Sequence, residues 1–439
     1  MPRPRVLIIT YYWPPSGGAG VQRWVKFTRY LRDFGWEPVV YIPENPEYPA
    51  LDATFANDLP EGLEVLKRRI WEPYSIYRKL TGKGDQPINA GFISENGKKG
   101  WKDKLSIRIR GNLLIPDPRM FWIRPSVRYL SRYLHEHPVQ AIVTTGPPHS
   151  MHRIGYGIKK QFPGLPWVAD FRDPWTNIDF YHELGLTRLS DAIHHRMERQ
   201  VVQSADAVVV VSVGMKEEFS LLNPNRLVMI PNGFDTADVQ PTGAAPDQQF
   251  TISHIGTMNA ARNPEVIWKA IRQLCDENIF FKKDVKIQLI GKVDFSVLES
   301  LKHYDLEEKA EKTDYLPHAE AIQRQQSSQV LLLIINNTPN AKGILTGKFF
   351  EYIASGRPVL GVGPSDGDAA QVLNETGAGR MIDYEDLETA KKVLLEWYAL
   401  YQENRLKVAT ANVDKYSRRS LTGKLTELLQ ELHDKHATT

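Results

Sequence analysis

A glycine-rich turn near the start of the chain has the residue types of an anion-binding site. Gly18 and Gly20 follow the aromatic and proline residues 11–15 and precede the apolar, helix-like spacing of residues 22–34. A strand that ends in such a turn and opens a helix suits a phosphate, because free backbone N–H groups and the helix dipole point at the same place. The dinucleotide fingerprint G-x-G-x-x-G fails at its sixth position, which is Arg23. The turn predicts an anion or sugar-nucleotide site, and an ordinary glycine turn is the alternative.

Polar and glycine residues recur at defined places in the second half of the chain. The sequence Asn232-Gly233 stands at a predicted domain boundary, and Gly256 directly follows a predicted strand. The segments with these features are residues 230–235 (IPNGFD), 256–263 (GTMNAARN), 348–352 (KFFEY) and 354–359 (ASGRPV). Each has an ordinary structural explanation when taken alone, since Asn-Gly is a common turn and a helix glutamate is usually solvated. The joint order and spacing are specific.

Taken together, these segments resemble the retaining glycosyltransferases of family 4. The resemblance covers most of the chain and is strongest in its C-terminal half. It implies the GT-B fold, in which two Rossmann-like, doubly wound α/β domains face each other across a cleft. It also implies transfer of a sugar from a nucleoside-diphosphate sugar, such as a UDP- or GDP-sugar, to an acceptor hydroxyl with retention at the anomeric carbon.

The resemblance assigns donor-binding residues in the second half. In the family, a strand followed by G-R-x-x-x-x-K supplies cations to the diphosphate; here Gly256 and Arg262 match, while Thr257 replaces the arginine. Lys348 or Arg357 is expected to supply the missing charge, although both could equally be surface cations. The N–H groups of Leu345 and Thr346, at a predicted helix start, and Asn232 at the boundary turn complete the expected donor-binding set.

The family's acidic signature E-x7-E is only half present. Glu351 matches the second glutamate, which implies hydrogen bonds to the donor ribose, whereas Gly343 occupies the position of the first. The first glutamate usually contacts the transferred sugar. Its absence leaves the identity of that sugar open.

Two histidines and several charged residues follow strands in the first half. His149 and His152 come after one predicted strand, and Asp170, Arg172 and Asp173 end or follow the next. The carboxyl ends of parallel strands face the ligand crevice in open α/β sheets. By position, the resemblance implies that His149 contacts the transferred sugar, and Asp173 is an expected acceptor-side residue. A capping role for Asp173 and a buried Asp170–Arg172 ion pair are the alternatives.

Alternating strand and helix patterns predict two α/β domains, as a length of 439 residues requires. We expect a first domain over residues 1–235 with a basic and aromatic insertion at about residues 71–124. We expect a second domain over residues 250–415 and a final helix within residues 416–439 that crosses back to the first domain. The region 235–249 is the predicted linker.

The composition restricts the compartment and the partners. The chain has 42 % hydrophobic and 24 % charged residues and one cysteine, which cannot form an internal disulfide. With no signal-peptide or membrane-spanning pattern, a cytoplasmic protein is expected. Lys and Arg outnumber Asp and Glu by more than two to one between residues 62 and 132. This excess indicates an anionic membrane surface or a lipid-linked acceptor, as in surface polysaccharide synthesis, and a packed insertion without such a role is the alternative.

Two rival functions remain at this point. A non-hydrolysing sugar-nucleotide epimerase would bind the same donor, and a catalytically silent sugar-nucleotide-binding protein would explain Thr257 and Gly343. We expect no cofactor and no metal, because no D-x-D follows a strand and no zinc-type His/Cys cluster is seen. A nucleic-acid partner is not expected.

Overall fold

The computed structural model describes residues 3–48, 51–72, 108, 111–178, 181–240, 243–314 and 316–437. Most of the predicted insertion lies outside these residues, including its aromatic residues Tyr74, Tyr77, Phe92 and Trp101. The chain divides into two compact units. Unit 1 comprises Met1–Pro231 together with Arg418–Thr439, and unit 2 comprises Asn232–Ser417.

Unit 1 contains a seven-stranded sheet in which every neighbouring pair is parallel. Its order is β3-β2-β1-β4-β5-β6-β7. The strands are β1 (Arg5–Ile9), β2 (Glu37–Pro43), β3 (Glu64–Arg68), β4 (Ala141–Gly146), β5 (Trp167–Phe171), β6 (Ala207–Val210) and β7 (Leu227–Met229). The central strands are almost continuously apolar, because helices cover both faces of a parallel sheet.

Among the described residues of unit 1, the helices with defined ranges are α1 (Ala19–Leu31), α2 (Met120–Glu136), α3 (Ser150–Gln161), α4 (Arg188–Ser204), α5 (Val213–Ser220) and α13 (Arg418–Ala437). Helix α13 packs on α1. Its buried face includes Leu421, Leu425, Leu428, Leu429 and Leu432, which share a core with residues of β1 and α1. The heptad-like spacing of these leucines keeps them on one helix face.

Unit 2 repeats the same architecture with a six-stranded parallel sheet of order β10-β9-β8-β11-β12-β13. The strands are β8 (Phe250–Ile255), β9 (Val285–Ile290), β10 (Ala310–Thr313), β11 (Val330–Ile334), β12 (Val359–Val362) and β13 (Gly379–Ile382). The helices are α6 (Glu265–Glu277), α7 (Ile279–Asp284), α8 (Phe295–His303), α9 (His318–Ser327), α10 (Gly347–Ala354), α11 (Asp368–Thr376) and α12 (Leu387–Gln402).

The strand order reverses once in each sheet, between β1 and β4 in unit 1 and between β8 and β11 in unit 2. Ligands of doubly wound folds bind outside the carboxyl ends of the strands at such a switch point. The doubly wound α/β class predicted from sequence is therefore confirmed in both units.

The end of the predicted insertion belongs to a core helix. Helix α2 begins at Met120, inside the predicted range of residues 71–124. Trp122 is buried and stacks on Tyr41, with ring centroids 4.9 Å apart. The end of this range is thus part of the core of unit 1, because the Trp122 side chain packs in it. The two flanks of the undescribed segment are joined by a buried ion pair, Arg119 Nε to Glu72 Oε1 at 3.0 Å.

A second buried ion pair joins α1 to β5. Arg23 Nη2 lies 2.8 Å from Asp170 Oδ1, and their side chains are 0 % and 2 % exposed. Trp24 Nε1 and Thr145 Oγ1 also donate to Asp170 Oδ2, at 2.8 and 2.9 Å. Arg23 donates further to the carbonyls of Ile230 and Pro231. Every charge is thus hydrogen-bonded, which is the condition under which a buried pair is tolerated.

We predict that Asp170→Asn lowers the free energy of unfolding by about 3–5 kcal/mol, because it leaves the Arg23 guanidinium buried without a counter-charge. Burial alone would raise the pKa of Asp170, but Arg23 and the donors from Trp24 and Thr145 hold it below its ordinary value. The contribution of the Asp170 carboxylate to the free energy of unfolding is therefore complete at neutral pH and is lost as the pH falls through the lowered pKa. Urea unfolding followed by tryptophan fluorescence measures the change.

The matched control is Asp33→Asn, which removes the same charge from an ion pair with Arg419 whose side chains are 43 % and 59 % exposed. Exposed pairs contribute about 0–1 kcal/mol. Equal losses in the two variants would contradict the buried-pair argument.

Candidate functional site

The glycine turn of unit 1 lies between β1 and the start of α1 and contains both predicted glycines. Gly18 has a φ of 95° immediately before α1, a conformation that L side chains rarely adopt. Gly20 lies in the first turn of α1, and a Cβ there would approach Arg172 Nη1 to 2.6 Å. Gly18 is required by its backbone conformation, whereas a side chain at position 20 would displace the Arg172 guanidinium.

Arg172 connects this turn to the loop after β4. Its Nη1 donates to the Gly20 carbonyl at 2.6 Å, its Nε donates to the Gly146 carbonyl at 3.3 Å, and its Nη2 donates to the Pro147 carbonyl. The residues that follow β1, β4 and β5 are therefore held together by one guanidinium. The Asp170–Arg172 ion pair considered from sequence is wrong, because Asp170 pairs with Arg23 and the hydrogen bonds of Arg172 go to carbonyl oxygens.

His149 precedes α3, and its ring stacks on Trp175 with centroids 4.5 Å apart and an interplanar angle of 2°. Its Nδ1 is buried and has no hydrogen-bond partner among the described residues. Burial, reinforced by His152 and His194, holds the pKa of His149 well below its ordinary value. The imidazole is therefore neutral near pH 7 and can exchange a hydrogen bond with a hydroxyl, but it cannot supply a positive charge.

His152 and Asp173 occupy different environments. His152 is fully buried, its Nδ1 lies 2.9 Å from Thr144 Oγ1, and burial lowers its pKa to about 3. It is a core residue. Asp173 is exposed one residue after Arg172. The structure thus places His149 and Asp173 in the loops that follow two neighbouring strands of unit 1.

In unit 2, two glycine turns cross at the carboxyl ends of β8 and β9. Gly256 has a φ of 123° and Gly291 a φ of 115°. The Gly256 N–H donates to the Ile290 carbonyl at 2.8 Å. A Cβ on Gly291 would lie 2.7 Å from the Gly256 carbonyl oxygen. The absence of side chains lets the backbone pass directly over the end of the sheet.

Lys348, in the first turn of α10, reaches the same turn. Its Nζ lies 3.2 Å from His254 Nε2 and 3.4 Å from the Ile255 carbonyl oxygen. A Cβ on Gly256 would be 3.2 Å from this Nζ, so nothing separates the amine from the turn. Burial, with a further contribution from the Arg262 charge, lowers the pKa of Lys348 to about 7.

Arg262 approaches the turn from the other side. It ends the short 3₁₀ helix Ala260–Arg262. Its Nε donates to Asn336 Oδ1 at 2.6 Å, and its Nη1 donates to the Thr257 carbonyl at 3.3 Å. Because Asn336 follows β11, the guanidinium spans the switch point between β8 and β11. Arg262 and Lys348 are thus brought together by the fold.

Glu351 lies one helical turn after Lys348 on α10. Its carboxylate meets His318 Nε2 at 3.2 Å and Gln325 Nε2 at 3.3 Å, both from α9. The side chain is largely but not fully buried. A carboxylate has about four lone-pair positions, so these two contacts leave room for hydroxyl donors.

The remaining predicted donor residues are only partly brought to this place. Thr346 precedes α10, and its Oγ1 is buried with no hydrogen-bond partner among the described residues. Leu345 precedes it and is half-buried. Asn232 is half-buried at the start of unit 2. None of the hydrogen bonds among the described residues joins Asn232 to the Gly256 turn.

Arg357 does not supply the missing charge. It precedes β12 and donates to the carbonyl and the side-chain Oε1 of Gln329, which precedes β11. Both residues therefore lie at the amino ends of strands, whereas Gly256 and Arg262 lie at the carboxyl end of the sheet. Thr257 is exposed. Among the two cations considered as substitutes, only Lys348 contacts the turn.

Sequence reasoning missed His254 and the polar partners Asn336 and His318. His254 is fully buried within β8, where its type gave no more than the signal of an isolated histidine. Its position two residues before Gly256 was the available signal. A residue at i−2 in a strand projects to the same side of the sheet as residue i.

Comparison with known proteins bears on the family and the fold of the chain. Residues 97–233 match the family model described as Glycosyl transferase 4-like domain. This part of the chain is therefore similar to a glycosyltransferase 4-like domain. The resemblance to family 4 stated from the sequence is thereby confirmed. No curated protein sequence matches the chain.

Several solved structures share the fold along the whole chain. Sucrose-phosphate synthase from Thermosynechococcus elongatus aligns with a TM-score of 0.61 at 12 % identity, covering 99 % of this chain and 100 % of that one. An alpha,alpha-trehalose-phosphate synthase (UDP-forming) from Burkholderia vietnamiensis aligns with a TM-score of 0.55 at 11 % identity and coverages of 98 % and 97 %. WaaG, a glycosyltransferase involved in lipopolysaccharide biosynthesis, aligns with a TM-score of 0.52 at 13 % identity and coverages of 97 % and 99 %. The GT-B class, with two Rossmann-like domains, is confirmed.

Two structural features are missing from the described residues. No helix among them combines the length and apolar composition needed to cross a bilayer. No three His, Cys, Asp or Glu side chains among them are grouped as they would be around a metal ion.

We predict that Gly291→Ala destabilises unit 2 by about 2 kcal/mol or more, because it combines a positive φ with a close contact to the Gly256 carbonyl oxygen. Displacement of that carbonyl also alters the turn that Lys348 contacts. Thermal unfolding measures the loss. Gly164→Ala is the control, since a Cβ at that position meets nothing within 4 Å. A Gly291 variant as stable as the Gly164 variant would show that the two backbones have room to separate.

Proposed function

We propose that this protein is a retaining glycosyltransferase that moves a sugar from a nucleoside-diphosphate sugar to an acceptor hydroxyl, and that unit 2 binds the donor. One observation carries the proposal. Arg262 and Lys348 converge on the Gly256 turn at the switch point of the unit 2 sheet. Two cations beside accessible backbone suit a diphosphate, and each charge-assisted hydrogen bond contributes about 1.5–3 kcal/mol.

The rest of the donor extends along α10 in this proposal. The N–H groups of Leu345 and Thr346 point toward the phosphates at the start of the helix, and the Thr346 hydroxyl supplies a further donor. Glu351 accepts hydrogen bonds from the ribose hydroxyls. We propose UDP or GDP as the nucleotide. The similar fold of a synthase described as UDP-forming supports the first of these.

The chemistry follows from charge development on the leaving group. The bond between the anomeric carbon and the β-phosphate oxygen breaks while the acceptor oxygen bonds to that carbon from the same side. The proton of the acceptor hydroxyl passes to the departing phosphate oxygen. The diphosphate gains negative charge as the sugar gains oxocarbenium character, and fixed cations lower the barrier by stabilising that charge. Arg262 and Lys348 supply this stabilisation, so the reaction is proposed to need no metal and no cofactor.

Unit 1 supplies acceptor-side and sugar contacts in the same proposal. The neutral His149 imidazole exchanges a hydrogen bond with a hydroxyl of the transferred sugar, and Asp173 binds the acceptor. The N–H groups of the Gly18–Gly20 turn, which Arg172 holds in place, provide a second backbone anion contact. The acceptor is proposed to be a sugar or a lipid-linked sugar, as in surface polysaccharide or glycolipid synthesis.

An exposed aromatic and basic patch supports a lipid-linked acceptor. We define the aromatic–basic patch as Arg68, Trp71, Phe121, Arg124 and Arg128. Trp71 and Phe121 are 52 % and 42 % exposed, with ring centroids 4.6 Å apart. Arg124 and Arg128 follow Phe121 on the same face of α2, and Arg68 lies over the ring of Tyr129. Interfacial aromatics beside Lys or Arg favour an anionic membrane surface, so we propose a cytoplasmic protein bound to the inner face of the membrane.

We predict that one of UDP, GDP and ADP raises the melting temperature, since a ligand present at 100 times its Kd stabilises the folded state by about 2.7 kcal/mol. Arg262→Glu should weaken that nucleotide about 100-fold, because it removes one attraction and adds a repulsion. Arg272→Glu is the matched control. Arg272 belongs to unit 2 but pairs with Asp276 on the surface. Unchanged affinity in Arg262→Glu combined with Glu351→Ala would place the donor site elsewhere.

Turnover distinguishes the proposed reaction from its alternatives. Transfer that requires an acceptor and retains the anomeric configuration, seen by NMR of the first product, supports the proposal. Conversion of the nucleotide sugar without any acceptor would instead indicate an epimerase, and nucleotide binding without turnover would indicate a silent binding protein.

We predict that the protein sediments with liposomes containing anionic lipid but not with neutral liposomes. Trp71→Ala with Phe121→Ala should weaken sedimentation, and Arg124→Glu with Arg128→Glu should weaken it further, by about 1 kcal/mol per neutralised cation and more on reversal. The matched controls are Phe295→Ala, a side chain 70 % exposed in unit 2, and Lys269→Glu. Sedimentation that is independent of anionic lipid would remove the membrane role.

A further inference from the structure

His254 is a fully buried titratable residue in the middle of the unit 2 sheet, and the proposed reaction does not use it. Its Nδ1 lies 3.0 Å from the Leu332 carbonyl oxygen on the neighbouring strand β11. A carbonyl oxygen only accepts, so Nδ1 carries the proton and Nε2 has a free lone pair. That lone pair faces Lys348 Nζ at 3.2 Å. The histidine therefore accepts a hydrogen bond from the lysine.

The charge state of His254 is fixed by its surroundings. Burial and the charges of Lys348 and Arg262 hold the pKa of His254 well below its ordinary value, and the carbonyls of Leu332 and Thr257 offset this only in part. The imidazole stays neutral from mildly acidic pH upward. It remains a hydrogen-bond acceptor across the range in which Lys348 titrates.

Lys348 is surrounded by few charged groups. Among the described residues, Arg262 from the 3₁₀ helix lowers its pKa and Glu351 from α10 raises it, while His254 from β8 is neutral. Burial has the largest effect and favours the neutral amine. An anion placed on the Gly256 turn would reverse this balance, because it adds an opposite charge at hydrogen-bonding distance.

We propose that His254 is a positioning residue that holds the Lys348 amine against the Gly256 turn, so that binding of a nucleoside diphosphate is coupled to uptake of one proton at Lys348. The inference rests on the proposed function, because it concerns the same donor site. The proton comes from solvent and bonds to the lone pair of Nζ. In this chain the Lys348–His254 pair takes the place of the arginine that Thr257 replaces.

The direction of the pH dependence follows from the lysine. The diphosphate binds the ammonium form, which is complete well below pH 7 and is lost as the pH rises through the free-protein pKa of about 7. Affinity should therefore fall by about 20-fold between pH 7.5 and pH 9, where the phosphates are already fully ionised. A donor site built from guanidinium groups alone would show no such loss.

The test is isothermal titration calorimetry of the full chain with UDP, GDP and ADP at pH 8, in buffers of different ionisation enthalpy. The wild-type protein should take up close to one proton per nucleotide bound, and Lys348→Met should take up none. His254→Phe keeps the volume but removes the acceptor, so affinity should fall about 10-fold and the pH profile should change. His254→Gln places an amide oxygen near the Nε2 position and should restore affinity to within about 3-fold.

A matched control variant distinguishes loss of the positioning hydrogen bond from loss of folded protein. His152→Gln changes a histidine that is equally buried but lies in unit 1, and it should leave nucleotide affinity and proton uptake unchanged. Melting temperatures of all variants are measured alongside. If His254→Phe is too unstable to titrate, proton uptake by wild-type protein and the response of His254→Gln still decide the matter.

The outcomes distinguish the inference from the function on which it rests. Nucleotide binding by the wild-type protein with no proton uptake and no pH dependence overturns the role of His254 and leaves the donor site standing. Wild-type affinity in His254→Phe would overturn that role in the same way. No binding of any nucleoside diphosphate overturns both.

Discussion

After β8, the chain leaves the sheet of unit 2 through a space that is too narrow for side chains. Gly256 and Gly291 pass so close that a single Cβ on one would overlap the carbonyl oxygen of the other. This constraint exposes peptide groups at the switch point and leaves room beneath them for the amine of Lys348. Arg262 completes the arrangement from the far side of the switch point through Asn336. The positive charge of the site is thus carried by Arg262 and Lys348, and the glycine at position 256 leaves space for the Lys348 amine.

In unit 1, an arginine holds together the loops at the carboxyl end of the sheet. There the glycine turn, the loop after β4 and the end of β5 are held by hydrogen bonds from one guanidinium to three carbonyl oxygens. The neighbouring carboxylate of Asp170 is committed to Arg23. Separating the two arginines in this way keeps Arg172 available to the loops. A carbonyl-bound guanidinium retains its full charge, and this charge adds to burial in lowering the pKa of His149.

Sequence patterns predicted the strands of the two sheets more completely than the residues of the candidate sites. Apolar runs such as β1 and β11 and the periodic leucines of α13 were sufficient, because burial on both faces of a parallel sheet leaves a strong signal in residue type. Gly18, Gly20 and Gly256 were also recognisable, since positive φ and close packing restrict those positions to glycine. The short edge strands β3, β7, β10 and β13 were missed because their burial is incomplete and their alternation is weak.

Contacts between distant residues could not be read from the chain. His254, Asn336 and Lys348 lie far apart in sequence, and only the order of strands in the sheet brings them to one place. Arg357 was considered as a phosphate ligand because its neighbours fit a family pattern, yet it lies at the opposite end of the strands. A residue can reach the site only if it lies at the carboxyl end of its strand, which depends on the direction of that strand in the sheet. That direction emerges only when all the parallel pairings are known.

The leucine face of α13 has a consequence for how the protein is made. Five leucines of α13 complete the core of the unit that contains β1, although the whole of unit 2 is synthesised between β1 and α13. Until synthesis has passed through the whole of the intervening unit, the nascent first unit presents an open apolar groove along α1. Unit 2 does not depend on a later segment of the chain and can fold as soon as its own residues have emerged. Unit 2 can therefore complete its folding before unit 1, although most of unit 1 is synthesised earlier.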